Sequence, residues 1–204
     1  TAKSQLTITL HSNYLSNYLF AKPLGFFQTI RGPMPYFVFD QTDVLFLGSD
    51  ITYRRDVSKK LRSSFTFGYL FTKNFNRGGN LIDQPPIRIN NTFNWTTNNF
   101  WKINSSEISI TPSYTFNQFR APETITPDEL INNFETFNPQ SDIFDFKDAP
   151  EGYFLIDFLW KFKIRALDCS LVVKNTLNKK YRNYLNEMRY FADEPGRNFL
   201  INFS

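Results

Sequence analysis

The chain has 204 residues, with 23 lysines and arginines against 19 aspartates and glutamates, and is long enough for one good-sized domain. The small positive excess is spread along the chain, so no basic patch for nucleic acid is present. The single cysteine and single histidine, Cys169 and His11, exclude a disulfide framework, a cysteine-based zinc site and a histidine cluster. The 24 phenylalanines and 10 tyrosines coexist with a negative mean hydropathy, which close alternation of aromatic and polar residues would produce.

Eight strands are predicted from segments in which apolar and polar residues alternate. The stretch SSFTFGYLF places Phe65, Phe67, Tyr69 and Phe71 on one face, opposite small, polar or aliphatic residues. A period of two is that of a strand with one apolar and one polar face. No apolar run reaches the roughly 18 residues of a transmembrane helix. In chain order, the predicted strands are 4–20, 36–54, 61–73, 86–96, 106–119, 152–165, 167–176 and 195–204.

The connections between these strands alternate in length. Short connections are predicted at 55–60, 97–105 and near 165–167. Long connections are predicted at 21–35, 74–85, 120–151 and 177–194. An antiparallel meander with this alternation has all of its long loops at one end.

Two architectures can use such strands: a soluble β-sandwich and a transmembrane β-barrel. Membrane strands need about nine to eleven residues, whereas strands in globular proteins usually have about five or six. The predicted lengths, and short turns at one rim with long loops at the other, favour an antiparallel all-β transmembrane barrel. A soluble binding module would instead bury the Phe65–Phe71 face against a second sheet. Aromatic residues near strand ends also suit a membrane interface; they are Tyr14, Tyr18, Trp95, Trp101, Tyr153 and Trp160.

The C-terminal stretch VVKNTLNKKYRNYLNEMRYFADEPGRNFLINFS, 172–204, resembles the end of TonB-dependent outer-membrane receptors of the Bacteroidetes type. The stretch TIRGPMPYFVFDQTDVLFLGSDITYRR, 29–55, resembles a long descending strand of that family with a Gly-acidic pair, here Gly48 and Asp50. The stretch NLIDQPPIRINNTFNW, 80–95, resembles the Pro-Pro segment that leads into the family's next descending strand. The resemblance extends over almost the whole chain.

This resemblance implies that residues 1–204 are the C-terminal portion of a receptor barrel, the last eight of about 22 strands. The plug domain and the TonB box are absent from the chain. The implied function is energised uptake of a scarce nutrient in the bacterial outer membrane, with a ferric siderophore, haem or another metal chelate as the commonest class and cobalamin or a glycan also open. The implied partners are outer-membrane lipid, lipopolysaccharide, the nutrient, TonB through the missing N-terminal part, and a surface lipoprotein. The alternative is a self-contained eight-stranded barrel with an anchoring or adhesion role, in which strand 4–20 would pair with strand 195–204.

Candidate contacts to the nutrient lie in or near the long loops. They are Arg31, Tyr36, Arg77, Phe119 and Arg120. Arginine and aromatic side chains suit an anionic or ring-bearing iron chelate. The alternative is that these loops fold over the rim or touch lipopolysaccharide.

The remaining polar residues favour structural roles. His11 lies on the polar face and is expected to be a lumen-facing side chain, since one imidazole is a poor metal site. The acidic stretch with Asp142, Asp145, Asp148 and Glu151 lacks the pattern of a calcium loop and is expected to be solvated. Arg189 and Arg197 can form loop ion pairs with Asp193 and Glu194. With His11 as the only imidazole and Cys169 on the apolar face, no catalytic constellation is expected, so the chain is predicted to be neither an enzyme nor a cofactor-binding protein.

Overall fold

The computed structural model describes residues 3–30, 32–100, 103–126, 128–129, 143–165 and 167–204, with the backbone alone at 28, 33, 35, 98–100 and 104. The strands in these ranges are β1 (Ser4–Thr29), β2 (Gly32–Asp56), β3 (Leu61–Asn74), β4 (Arg88–Phe100), β5 (Ile103–Thr115), β6 (Glu123–Thr124), β7 (Phe144–Asp145), β8 (Tyr153–Ile164), β9 (Leu167–Lys174) and β10 (Asn198–Phe203). A short 3₁₀ helix covers Glu187–Tyr190. Within the described ranges, no helix has the length and apolar character needed to cross a membrane.

Eight of the strands form one antiparallel meander in the order β1-β2-β3-β4-β5-β8-β9-β10. Strands β6 and β7 form a separate two-residue parallel pair within the long connection between β5 and β8. The eight sheet strands are those predicted from alternation, so the predicted antiparallel all-β fold is confirmed. The connections 75–87, 116–152 and 175–197 all lie at one end of the sheet, which we call the long-loop end.

The predicted long loop at 21–35 is wrong. β1 continues to Thr29 and β2 begins at Gly32, so the two strands form one extended hairpin. The prolines in this stretch suggest a loop, but Pro23 lies at a register shift before Gly25, while Pro33 and Pro35 pair in register with Gln28 and Phe26. Proline is tolerated at bulges and sheet edges. Because the last β2–β3 pair is Val44 with Asn74, the hairpin projects beyond the rest of the sheet. The predicted turn at 97–105 is also too long, since β4 extends to Phe100 and β5 begins at Ile103.

The strand register separates the side chains onto two faces. One row of directly paired positions is apolar and contains Ile8, Ile51, Phe67, Ile89, Tyr114 and Phe154. The neighbouring row is mostly polar and contains Thr9, Asp50, Gly68, Arg88, Thr115 and Tyr153. We call the two sides of the sheet the apolar face and the polar face.

The apolar face is open to its surroundings. Leu10 is 76% exposed and Ile201 is 61% exposed, although both are large hydrophobic residues. Phe65, Phe67, Tyr69 and Phe71 are only half-buried, and in the described ranges no second sheet covers them. The soluble β-sandwich alternative is therefore wrong, because it requires this face to be a dry interior.

The height of the apolar face matches a bilayer. On β2 and β3 the apolar face has no charged residue between Arg55, which pairs with Ser63, and Lys73, which pairs with Leu45. The ten residue steps between Ser63 and Lys73 give about 34 Å along a strand, or about 25 Å at the usual tilt of barrel strands. This is roughly the height of the apolar band of an outer-membrane barrel.

Aromatic residues at the ends of the band agree only in part with the prediction. Trp95 and Trp160 lie on the apolar face near the short-turn end, each in register with Ile108. Tyr14 lies on the same face near the long-loop end, paired with Leu45. Tyr18 and Tyr153 are instead on the polar face: the register shift after Leu15 reverses the facing of β1, and Tyr153 pairs with Thr115. Trp101 lies outside the described residues.

The sheet is open at both edges. In the described ranges β1 pairs only with β2, and β10 pairs only with β9. The β1–β10 pairing expected of a self-contained eight-stranded barrel is therefore not seen. An arc of a wider barrel fits this arrangement.

Candidate functional site

A small hydrophobic core holds the long connections against the polar face. Phe20 and Val44 of the hairpin, Leu81 and Ile82 of connection 75–87, and Ile143 are buried together. The register shift in β1 explains why this core forms here, because it turns Tyr18 and Phe20 toward the polar face. The connections thus fold over the polar side of the wall.

A buried ion pair joins these connections. The side chain of Arg189 is 2% exposed and that of Asp145 is 1% exposed. Arg189 donates from Nη1 and Nη2 to Oδ2 of Asp145, at 3.0 and 2.9 Å. Arg189 Nη2 also lies 3.3 Å from Oδ1 of Asp83. Three connections, 75–87, 116–152 and 175–197, are therefore linked by one guanidinium, and we call this contact the Arg189 latch.

Two tyrosines complete the Arg189 latch. The guanidinium carbon of Arg189 lies 4.4 Å from the ring centroid of Tyr184 and 4.5 Å from that of Tyr190. The Tyr190 hydroxyl accepts a hydrogen bond from Arg189 at 2.8 Å and donates one to Oδ1 of Asp145 at 2.7 Å. Burial raises the pKa of both phenols well above the ordinary value. Burial also raises the pKa of Asp83, although the charge of Arg189 acts in the opposite direction.

A second ion-pair cluster joins the hairpin to connection 75–87. Asp40 of β2 accepts a 2.7 Å hydrogen bond from Nη2 of Arg77 and lies 3.8 Å from Nζ of Lys22. Lys22 is 1% exposed. Because a buried charge is costly without a partner, this cluster fixes the hairpin relative to the loop.

Beneath the loops lies a cleft of about 400 Å³ on the polar face. Its polar lining comes from His11, Asp50, Arg88, Tyr153 and Asn183. Its apolar lining includes Leu70, Pro85, Pro86 and Leu185. Wall strands and loop residues thus enclose it together. Such a mixture of apolar surface and a few polar groups is typical of small-molecule sites.

Glycine shapes the wall of this cleft. A Cβ at Gly48 would stand 1.8 Å from Nε2 of His11, so the imidazole lies directly over the Gly48 backbone. His11 Nδ1 is 3.7 Å from Oδ2 of Asp50. The expectation that His11 faces the polar side is confirmed. In the described ranges no three His, Cys, Asp or Glu side chains are grouped as a metal site.

The predicted nutrient contacts are not gathered in one place. Arg77 lies beside Asp40 at the hairpin, while the guanidinium of Arg120 lies over the ring of Phe71, a residue of the apolar face. Tyr36 stacks on Phe27 in the hairpin at a centroid distance of 4.5 Å, and Phe119 is 60% exposed. Arg31 lies outside the described residues.

The predictions for the acidic residues are wrong in two respects. Asp145 is fully buried rather than solvated, because Arg189 neutralises it. Arg189 does not pair with Asp193 or Glu194: Asp193 accepts from Arg182 at 2.8 Å, and Glu194 accepts from Asn186 at 2.6 Å. The prediction paired Arg189 with acidic residues close to it in the sequence, whereas in the structure Arg189 pairs with Asp145 of another long connection. Asp142 lies outside the described residues. The flanking residues of Asp145, Phe144 and Phe146, are the one local sign of its burial.

Comparison with known proteins gives a structural likeness alone. No protein-family model matches the sequence, and no curated protein matches it. Among solved structures, the chain is similar to the copper transporter OprC, with a TM-score of 0.69 and 14% sequence identity over 98% of this chain. The chain spans only 28% of the length of that transporter chain. At this identity the likeness shows the fold alone: with its exposed apolar band and alternating loop lengths, the chain is a wall segment of an outer-membrane type of β-barrel.

Proposed function

We propose that this chain is part of a barrel that takes up a small-molecule nutrient across the bacterial outer membrane. The apolar face contacts lipid, the polar face lines the interior, and the long-loop end faces outward, as in outer-membrane barrels generally. The single observation that carries the proposal is the cleft between the polar wall and the latched loops. A binding site in that position lies at the mouth of the barrel.

A metal or metal chelate is the substrate class that we favour. The similar structure is named as a copper transporter, and the sequence resembles TonB-dependent receptors of the Bacteroidetes type, for which ferric siderophores and haem are common substrates. In the proposed mechanism, the outer loops capture the nutrient, and TonB supplies energy through parts of the receptor outside this chain. A surface lipoprotein partner belongs to the same proposal.

The cleft has side chains that suit such a ligand. Arg88 can attract a carboxylate or another anionic group of a chelate, and Leu70 with Pro86 offers an apolar surface. His11 and Asp50 lie side by side on the opposite part of the cleft. The predicted contacts Tyr36, Arg77 and Phe119 would act higher on the rim, and Arg31 remains a predicted contact from the sequence.

Uptake by cells tests the proposal. The gene is deleted in its host, and the full-length protein is restored as wild type or as the Arg88→Gln variant. Uptake of radiolabelled copper, ferric siderophores and haem is then measured with and without an intact TonB system. We expect uptake of one of these to require both the gene and TonB, and to fall in the Arg88→Gln strain.

A matched control replaces Arg54, an exposed arginine of β2 that faces the same side near the short-turn end. The Arg54→Gln strain should retain uptake. If the surface-expressed protein changes the uptake of none of these nutrients, the proposed transport of a metal or metal chelate is wrong.

A further inference from the structure

Two sides of the candidate cleft come from long connections. Pro85 and Pro86 of connection 75–87 form one side, and Asn183 and Leu185 of connection 175–197 form the other. Among the residues that the structure describes, connection 116–152 contributes nothing to the lining. It nevertheless contacts the chain next to both sides, so it can affect the cleft without touching a bound molecule.

The side that contains Leu185 is held from outside the cleft by Asp145. Tyr184 lies between the lining residues Asn183 and Leu185 in the chain, and its buried ring packs against the guanidinium of Arg189 at 4.4 Å. Arg189 is in turn fixed by two hydrogen bonds to Asp145, at 3.0 and 2.9 Å. Because both charged side chains are at most 2% exposed, neither can exchange its partner for bulk water.

The side that contains Pro85 is held by the same connection at two points. The first is Gln118, which donates a 2.8 Å hydrogen bond from Nε2 to the carbonyl oxygen of Gln84, the residue before Pro85. Both glutamine side chains are buried. The second point is the Arg189 latch, since Asp83 lies 3.3 Å from Nη2 of Arg189. The two sides of the cleft are therefore connected to each other through connection 116–152.

Both residues of connection 116–152 have fixed positions of their own. Asp145 is followed by Phe146, whose ring stacks on Phe26 of the hairpin with centroids 4.2 Å apart. The side-chain oxygen of Gln118 accepts a hydrogen bond from the backbone amide of Arg120 at 3.1 Å, which directs its donor group toward the opposite connection. The contacts that hold the two sides are thus formed before any molecule enters the cleft.

We propose that Asp145 and Gln118 are positioning residues for the candidate site, which fix the distance between the Pro85 and Leu185 sides from outside the cleft. A site held at one width loses little freedom when a molecule binds, whereas a site that has this width only part of the time binds more weakly in proportion. The inference rests on the proposed function for the identity of the cleft as the binding site, but the distance itself is present without a bound molecule.

Spin labels across the cleft measure this distance in the purified full-length protein. They are attached at two exposed positions, through Pro85→Cys and Leu185→Cys, in a background without other reactive cysteines. Double electron–electron resonance then gives the distance distribution. We expect a narrow distribution in this labelled parent protein and one about twofold or more broader in Asp145→Asn, because the buried Arg189 loses the carboxylate that fixes it.

Two further variants separate position from folding. Gln118→Leu removes the hydrogen bond to Gln84 but not the latch, so it should broaden the distribution less than Asp145→Asn. Asp148→Asn changes an exposed aspartate of the same connection and should leave the distribution unchanged. The fraction of heat-modifiable, folded protein should be the same in all three variants, so that a change of distance does not reflect loss of the barrel.

The inference is overturned if Asp145→Asn retains the parent distribution, or if Asp148→Asn broadens it as much. If Asp145→Asn does not fold, an unchanged distribution in Gln118→Leu overturns it instead. Uptake of copper, ferric siderophores and haem is measured separately in strains without labels, and Asp145→Asn should lower the uptake that the wild type shows. If the wild type takes up none of them, the proposed function is wrong, while the label distances still decide this inference.

Discussion

Arg189 and Asp145, which are 44 residues apart in the chain, meet in a buried ion pair with two hydrogen bonds to one carboxylate oxygen. Each charge replaces water that the other would otherwise need, Asp83 places a second carboxylate beside Nη2 of Arg189, and Tyr190 donates to the other oxygen of Asp145. The pair joins two long connections, and Asp83 adds the third. Because Tyr184 stacks on Arg189 and Leu185 lines the cleft, the latch also positions part of the roof over the candidate site.

Removal of the guanidinium should release the loops. We expect Arg189→Ala to leave Asp145 buried without a partner, at a cost of about 3–5 kcal/mol to the local packing. Hydrogen exchange measured by mass spectrometry should therefore accelerate in 78–84, 143–146 and 184–190. Exchange in the β2–β3 ladder should be unchanged, because that ladder does not depend on the loops.

Arg197→Ala is the matched control for this prediction, since it removes an exposed arginine from the same connection. If it accelerates exchange in 143–146 as much as Arg189→Ala does, the latch is not what holds the loops.

A methyl group at Gly48 should displace His11. The Gly48→Ala variant places Cβ within 1.8 Å of the present position of Nε2 of His11, so the imidazole must leave the wall. We expect a loss of stability of about 1–3 kcal/mol, measured as a lower midpoint of urea unfolding in lipid vesicles. A second change, His11→Ala, should restore most of that loss by removing the clash.

Gly68, a glycine on the same polar face in β3, serves as a control. At Gly68 an added Cβ would meet Oδ1 of Asp50 at 3.4 Å, an ordinary contact. Gly68→Ala should therefore unfold close to the wild-type midpoint. Equal losses at Gly48 and Gly68 would show that glycine itself, rather than the room it gives His11, matters here.

A charge on the apolar face should oppose membrane insertion. Phe67→Arg lies near the middle of the apolar band and should destabilise the folded barrel by about 2–4 kcal/mol. Ser64→Arg adds the same charge on the polar face of the same strand and should cost much less. The fraction of heat-modifiable, folded protein in vesicles measures both, and a larger loss for Ser64→Arg would show that the two faces are assigned the wrong way round.

The phenol of Tyr190 should titrate at unusually high pH. Burial raises its pKa above the ordinary value of 10.0, and Asp145 disfavours a phenolate beside it. Since the folded pKa is raised, the contribution of Tyr190 to loop stability is present below the ordinary pKa and is lost as the pH rises through the folded value. A pH titration followed by phenolate absorbance measures this. The number of tyrosines that ionise in the most alkaline phase should be smaller by one in Tyr190→Phe than in the wild type. A component that disappears near pH 10 instead would contradict this assignment.

Alternation by itself was enough to predict the eight sheet strands, their meander and the division into two faces. In SSFTFGYLF, for example, the aromatic residues recur at every second position. This period places them all on one face of a β-strand. The position of the long-loop end also followed from the sequence, except at the first hairpin. There, prolines and Gly25 resemble a loop, and only the ladder between β1 and β2 shows that a bulge accommodates Pro23 and Gly25 while Pro33 and Pro35 pair in register.

The sequence therefore determined the regular strands and the facing of most of their side chains, because both depend on near neighbours in the chain, whereas the facing of Tyr18 depends on the register shift after Leu15. The tertiary structure alone decided which loop residues meet. Asp145 is predicted to be solvated among its acidic neighbours, yet it is buried against Arg189; Arg120 of a long connection lies over the ring of Phe71 on β3, a contact that no local pattern predicts. Contacts of this kind join residues that are tens of positions apart, and their energies depend on burial and partner geometry that no local pattern encodes.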